Sequence, residues 1–94
     1  MTFNMNSPRT NKPVANQLVS IDTDKIVFQS YKSICCIIEN TGRIILGRNW
    51  SYSNTTLKYL YIFLCKYANM QNVSKKSLEI AIRNKDIILD ENLV

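Results

Sequence analysis

The sequence predicts an α+β domain in two layers: an antiparallel sheet of three to four strands, in the order β-β-β-α-α-β, with two helices on one face. Three observations predict it. Short β-rich runs at Lys25–Ser30, Ser33–Glu39 and Arg43–Arg48 are joined by brief connections, which make neighbouring strands antiparallel. Two stretches at helical spacing follow, Leu57 to Ala68 and then Lys75 to Arg83. The length of 94 residues supplies one core, so the helices must share a face of the sheet.

Residues 1–20 read as a polar N-terminal arm ahead of a single domain over residues 21–94. Met1–Asn16 carries Asn, Ser and Thr, the prolines Pro8 and Pro13, and the charges of Arg9 and Lys12, with no hydrophobic period. Such a composition predicts a frayed tail. In Lys25–Ser30, Ile26 and Phe28 share one face and Val27 takes the other. In Ser33–Glu39, Ile34, Cys36 and Ile38 face one way and Cys35 and Ile37 the other. Both faces are apolar, which predicts a central strand. Asn40-Thr41-Gly42 is a turn in which Gly42 suits positive φ. Gly47, near the end of the third run, predicts a bulge or a close backbone approach.

Asn49–Asn54 leads into the first helix. Leu57, Leu60, Tyr61, Leu64, Tyr67 and Ala68 form its apolar stripe, and Ser53, Asn54 or Thr55 supplies the N-cap oxygen. Tyr59, Ile62, Phe63 and Lys66 fall off that stripe. The second helix takes Ser74 as N-cap and ends at Asn84, a residue that tolerates the left-handed conformation. Ile87–Leu89 reads as a last short strand, with the acidic pair Asp90-Glu91 protecting its edge.

Composition excludes more than it selects. The chain has no His, which removes Ser-His and Cys-His nucleophile pairs and histidine-bound metals. Two isolated glycines build no phosphate-cradling loop. The three cysteines, Cys35, Cys36 and Cys65, form no Cys-x-x-Cys and are too few for a zinc site. They read as free thiols of a reducing cytoplasm. Asp22, Asp24, Asp90 and Glu91 sit in a connection and a tail, where solvated charge is the plain reading. The expectation is therefore a protein that is not an enzyme, with no metal and no cofactor. Its longest apolar runs, Ile34–Ile38 and Tyr59–Cys65, fall far short of the about 20 residues a spanning helix needs. No secretory signal is seen, so a cytoplasmic location without a membrane partner is expected. The net charge of +5 favours anionic partners or simply serves solubility.

Two segments carry a recognisable pattern: Ser30-Tyr31-Lys32-Ser33-Ile34, and Trp50-Ser51-Tyr52-Ser53-Asn54-Thr55-Thr56-Leu57-Lys58-Tyr59 through Phe63-Leu64. The pattern resembles a family of small uncharacterised proteins of phages, prophages and plasmids. There, Ser-Tyr-Lys-Thr-hydrophobic precedes a hairpin, an aromatic-x-Tyr-Ser-x-Thr-Thr-x-Lys/Arg-aromatic segment and a Phe-Leu. The resemblance spans Lys25 to Leu89. Ser33 stands where that family has Thr, and Asn84-Lys85 replaces a Gly-containing turn. The resemblance implies a mobile-element origin and a host-cell cytoplasm, and it implies no mechanism.

Two surfaces are candidates for binding. The first comprises Trp50, Tyr52, Ser53, Asn54 and Thr55 at the entry to the first helix, with Tyr59 and Phe63 along it. Hydroxyls and amides at a helix N-terminus form an anion pocket when Arg43, Arg48 and Lys58 are close. The plainer reading is that the hydroxyls cap the helix and the aromatics anchor the loop. The second surface is the basic start of the second helix, where Lys75 and Lys76 oppose the helix dipole or lie on a solvated face. Together these predict a binding protein of phage or mobile-element origin that acts on a host protein or nucleoprotein complex, as an inhibitor of host defence or a regulator. Two alternatives remain: direct DNA or RNA binding through Arg43, Arg48, Lys58, Lys75 and Lys76, and a virion or self-assembling subunit. A helix apolar nearly all round also predicts a homodimer through the first helix.

Overall fold

A computed structural model describes residues 1–94. Its elements are β1 (Thr2–Asn6), β2 (Pro13–Ile21), β3 (Lys25–Ser30), β4 (Ser33–Glu39), β5 (Ile44–Gly47), α1 (Asn54–Tyr67), α2 (Lys75–Arg83) and β6 (Ile88–Asp90). The strands form one sheet in sequence order. Neighbours from β1 to β5 are antiparallel, and β6 runs parallel to β5. The α+β class stands, with six strands in a mixed sheet in place of three to four antiparallel ones. The parallel pair follows from connectivity: the chain passes through both helices between β5 and β6, the crossover that parallel strands require.

The two additional strands come from the stretch read as an arm. Phe3 packs against the core and Met5 and Val19 are buried in it. Asparagine is depleted in strands, so its abundance here hid the alternation, and pairing with β3 overrides the local preference. Asn11 and Asn16 take positive φ, which bends the chain without glycine. The Met1 ammonium donates to the Ile21 carbonyl at 3.1 Å and ties down the N-terminus.

The helices cover the face that carries Val19, Phe28, Cys36 and Leu46, one straight cross-strand row. Phe28 stacks on Phe63 with ring centroids 5.5 Å apart, and Phe63 meets Tyr67 at 5.2 Å. Helix α1 buries Thr56, Tyr59, Leu60, Phe63 and Leu64. The buried stripe is thus rotated from the expected one: Tyr59 and Phe63 are inside, while Tyr61 and Tyr67 are half-buried. Burying Phe63 alone contributes about 1.5–3 kcal/mol. Helix α2 adds Leu78 to the same core.

Local punctuation agrees with the chemistry of the residues. Ser53 caps α1 by accepting from the Thr56 amide at 3.1 Å. Ser74 and Ser77 form a reciprocal capping box on α2. At the end of α2, Lys85 and not Asn84 takes the left-handed conformation. Asn84 stays right-handed at φ −81°, because its amide still bonds the Ile80 carbonyl. Gly42 has φ +92°, as the turn requires. Gly47 is a close approach: a Cβ there would run into the Ile34 carbonyl oxygen.

Candidate functional site

At one end of the sheet a two-residue loop, Tyr31-Lys32, joins β3 to β4, with Ser30 paired to Ser33 beneath it. Tyr31 has φ +56°, a region that a bulky side chain enters at a cost of about 1–3 kcal/mol. Tertiary bonds hold it there. Its amide donates to the Asn16 carbonyl at 2.7 Å, and its carbonyl accepts from Gln29 Nε2 at 3.0 Å. The β5–α1 connection lies alongside, and a cleft of about 540 Å³ separates the two.

Hydroxyls and one amide build the floor. Ser30 Oγ and Thr56 Oγ1 are 2.9 Å apart and buried, and Thr56 Oγ1 is 3.0 Å from Ser53 Oγ. Asn49 Nδ2 donates to Ser33 Oγ at 3.0 Å. The β3–β4 hairpin and the cap of α1 are therefore joined by side chains 26 residues apart in sequence. Cys35 also lines the cleft. It occupies a bulge in β4, since Phe28 pairs with Cys36 and Gln29 with Ile34. Its thiol lies 3.6 Å from the Ser33 carbonyl oxygen and 3.7 Å from that of Asn49. Burial pushes this thiol up to about 11, with a backbone hydrogen bond at Ser30 acting the other way. Gln17, opposite Ser30 in the β2–β3 ladder, is buried with its Oε1 unpartnered.

Two tyrosines flank the opening. Tyr31 is 46% exposed and Tyr52 is 76% exposed, and Lys32 stands at the rim between hairpin and solvent. No acidic residue lines the cleft.

The structure sorts the expected binding residues. Tyr52 lines the cleft, Ser53 caps α1 beside it, and Asn54 and Thr55 are exposed in the first turn. Trp50, Tyr59 and Phe63 are buried in the core, so they form no binding surface. The basic residues sit at the two ends of β5, on α1 and on α2. Arg43 pairs with Glu39 at 3.1 Å, at the end of β5 opposite to Arg48. Lys58 lies over the Tyr59 ring at 5.5 Å. Lys75 and Lys76 are exposed at the start of α2. Sequence reasoning missed Tyr31, Lys32, Ser33 and Asn49 as site residues. The signal was present in Ser30-Tyr31-Lys32-Ser33, a hairpin loop without glycine, but positive φ at a tyrosine has no local sequence mark.

No group of three or more His, Cys, Asp or Glu side chains is placed to hold a metal ion, and no helix is long and apolar enough to cross a membrane. The three cysteines are unpaired, Cys35 and Cys36 buried and Cys65 exposed.

The chain belongs to a family of unknown function, DUF8033, whose family model matches residues 1–80. The match takes in β1 and β2, so the stretch read as an arm is part of the family's own pattern. It also takes in both segments that line the cleft. No curated protein and no solved structure matches the chain.

Proposed function

We propose that this protein is a non-enzymatic binding protein of mobile-element origin, which engages a host protein or nucleoprotein complex through the cleft between the β3–β4 loop and the start of α1. One observation carries the reading. The two patterned segments, distant in sequence, meet there and leave two tyrosines and a lysine exposed over a hydrogen-bonded floor. Exposed aromatics beside a cationic side chain are what protein interfaces use as anchors. The strained backbone at Tyr31 holds one of them in place before any partner arrives. A thiol held protonated well above neutrality supplies no nucleophile, which favours binding over catalysis. The phage and plasmid character rests on the resemblance of the Ser30–Ile34 and Trp50–Leu64 segments.

A pull-down from host lysate, with and without nuclease, tests the proposal when wild type is compared with Tyr52→Ala and Lys32→Ala. Both side chains are exposed, so the fold is expected to survive. Wild type retains a stoichiometric partner, and Tyr52→Ala weakens it by roughly tenfold or more. Recovery of no such partner, or of one that both variants retain equally, overturns the reading.

A further inference from the structure

The sheet has a second face. Residues alternating with the helix-covered row point to its other side. Register places Thr2, Ser20, Val27, Ile37, Ile45 and Ile88 in one row across all six strands. Asn4, Leu18, Gln29, Ile34 and Asp90 belong to the next row. None of these residues is buried, and Ile88 is 37% exposed. The first row holds no ionisable side chain, and the next has one, Asp90 at the β6 edge, whose carboxylate accepts from the Asn92 amide at 3.0 Å. The two hydroxyls of the first row, on Thr2 and Ser20, are 3.1 Å apart and satisfy each other.

A third row closes this face at the end away from the cleft. Lys25 is opposite Glu39, and Glu39 pairs with Arg43. Asp22 follows β2 in the same row, its amide bonded to the Lys25 carbonyl at 2.9 Å. Across the strands the charges therefore alternate, negative, positive, negative, positive.

We infer that a second copy of the chain covers this face, in a sheet-on-sheet dimer. The mid-line of the sheet runs between β3 and β4. A two-fold axis along that line, parallel to the strands, lays β3 of one copy over β4 of the other and β2 over β5. Lys25 then meets Glu39 of the second copy, and Asp22 meets its Arg43. Every charge of the row faces an opposite one, a self-complementarity that a random partner would not match. The same operation sets Val27 over Ile37. It also sets the small Ser20 and Thr2 over Ile45 and Ile88, so large side chains face room to interdigitate. Six strands about 4.8 Å apart, from about 10 Å long in β6 to about 30 Å in β2, present a flat footprint on the order of 500 Å². Side-chain relief enlarges that toward the about 800 Å² per partner of a standard interface. An axis parallel to the strands preserves their direction, so both clefts lie at the same end of the dimer. That last consequence, a bivalent display, rests on the cleft reading above; the dimer itself does not.

Sedimentation of the full chain over a concentration series, with circular dichroism as the control for folding, tests the dimer. A dimer is expected for wild type and a folded monomer for Ile45→Asp. Lys25→Glu and Glu39→Lys each weaken association by roughly tenfold, and the combined variant recovers it. Should Ile45→Asp fail to fold, the two surface charge variants decide alone. A monomer at every concentration overturns the inference. So does a dimer that the charge variants leave unmoved, which would place the contact elsewhere, for instance on α1.

Discussion

Cys35 and Cys36 show how one residue's surroundings set a measurable property. Both are fully buried, and burial raises the Cys35 thiol from 9.0 to about 11. Burial raises Cys36 further, and the neighbouring Cys35 adds to the effect. Unfolded, these thiols ionise first. Above pH 9.0 the unfolded chain therefore binds fewer protons than the folded one, and stability falls as pH rises. Their contribution is intact below pH 9.0 and declines above it, up to about pH 11 for Cys35 and beyond that for Cys36, by at most ~1.4 kcal/mol per pH unit for each thiol. Chemical denaturation across that window measures the slope, and the double variant Cys35→Ala with Cys36→Ala should flatten it. At this scale the sequence marked Gly42 and Gly47 correctly, because glycine enters positive φ without strain and alone lets backbones touch. It did not mark Tyr31, whose positive φ is imposed by bonds to Asn16 and Gln29.

Among the elements, α2 carries charges that oppose its own dipole. Its cap is good, yet its first turn carries Lys75 and Lys76 and no acidic residue. Two cations at the positive end of the dipole destabilise the helix. Lys75→Glu with Lys76→Glu is expected to stabilise the protein by roughly 1 kcal/mol, read as a rise in Tm. If these lysines contact phosphate, the same variant loses salt-dependent nucleic-acid binding while its Tm rises, which separates the two roles. The bounds of β3, β4 and α2 are those that the local pattern predicts. Helix α1 is present where expected, with a different buried face. Aromatic and aliphatic side chains surround it, so period alone could not choose its orientation. Contact with Phe28 did, by drawing Phe63 inward.

Over the whole molecule, the largest difference lies at the N-terminus. Strand β1 covers the edge of β2, and Met5 belongs to the core. Removal of residues 1–12 is expected to cost more than about 3 kcal/mol, visible in a thermal melt, because buried side chains and a strand partner are lost together. A frayed arm would leave the melt unchanged. By itself the sequence determined the α+β class, the two hairpin strands β3 and β4, the cap and extent of α2, and the lack of histidine chemistry. Each is written locally, in alternation, helical period, capping residues or composition. Only the tertiary structure decided the rest: that β1 and β2 join the sheet, that β6 returns parallel, that α1 turns Tyr59 and Phe63 inward, and that Tyr31 and Tyr52 flank one cleft. Those outcomes depend on pairing and packing between residues far apart in the chain, whose free energy outweighs the local preferences of the asparagine-rich N-terminus and the all-round apolar helix.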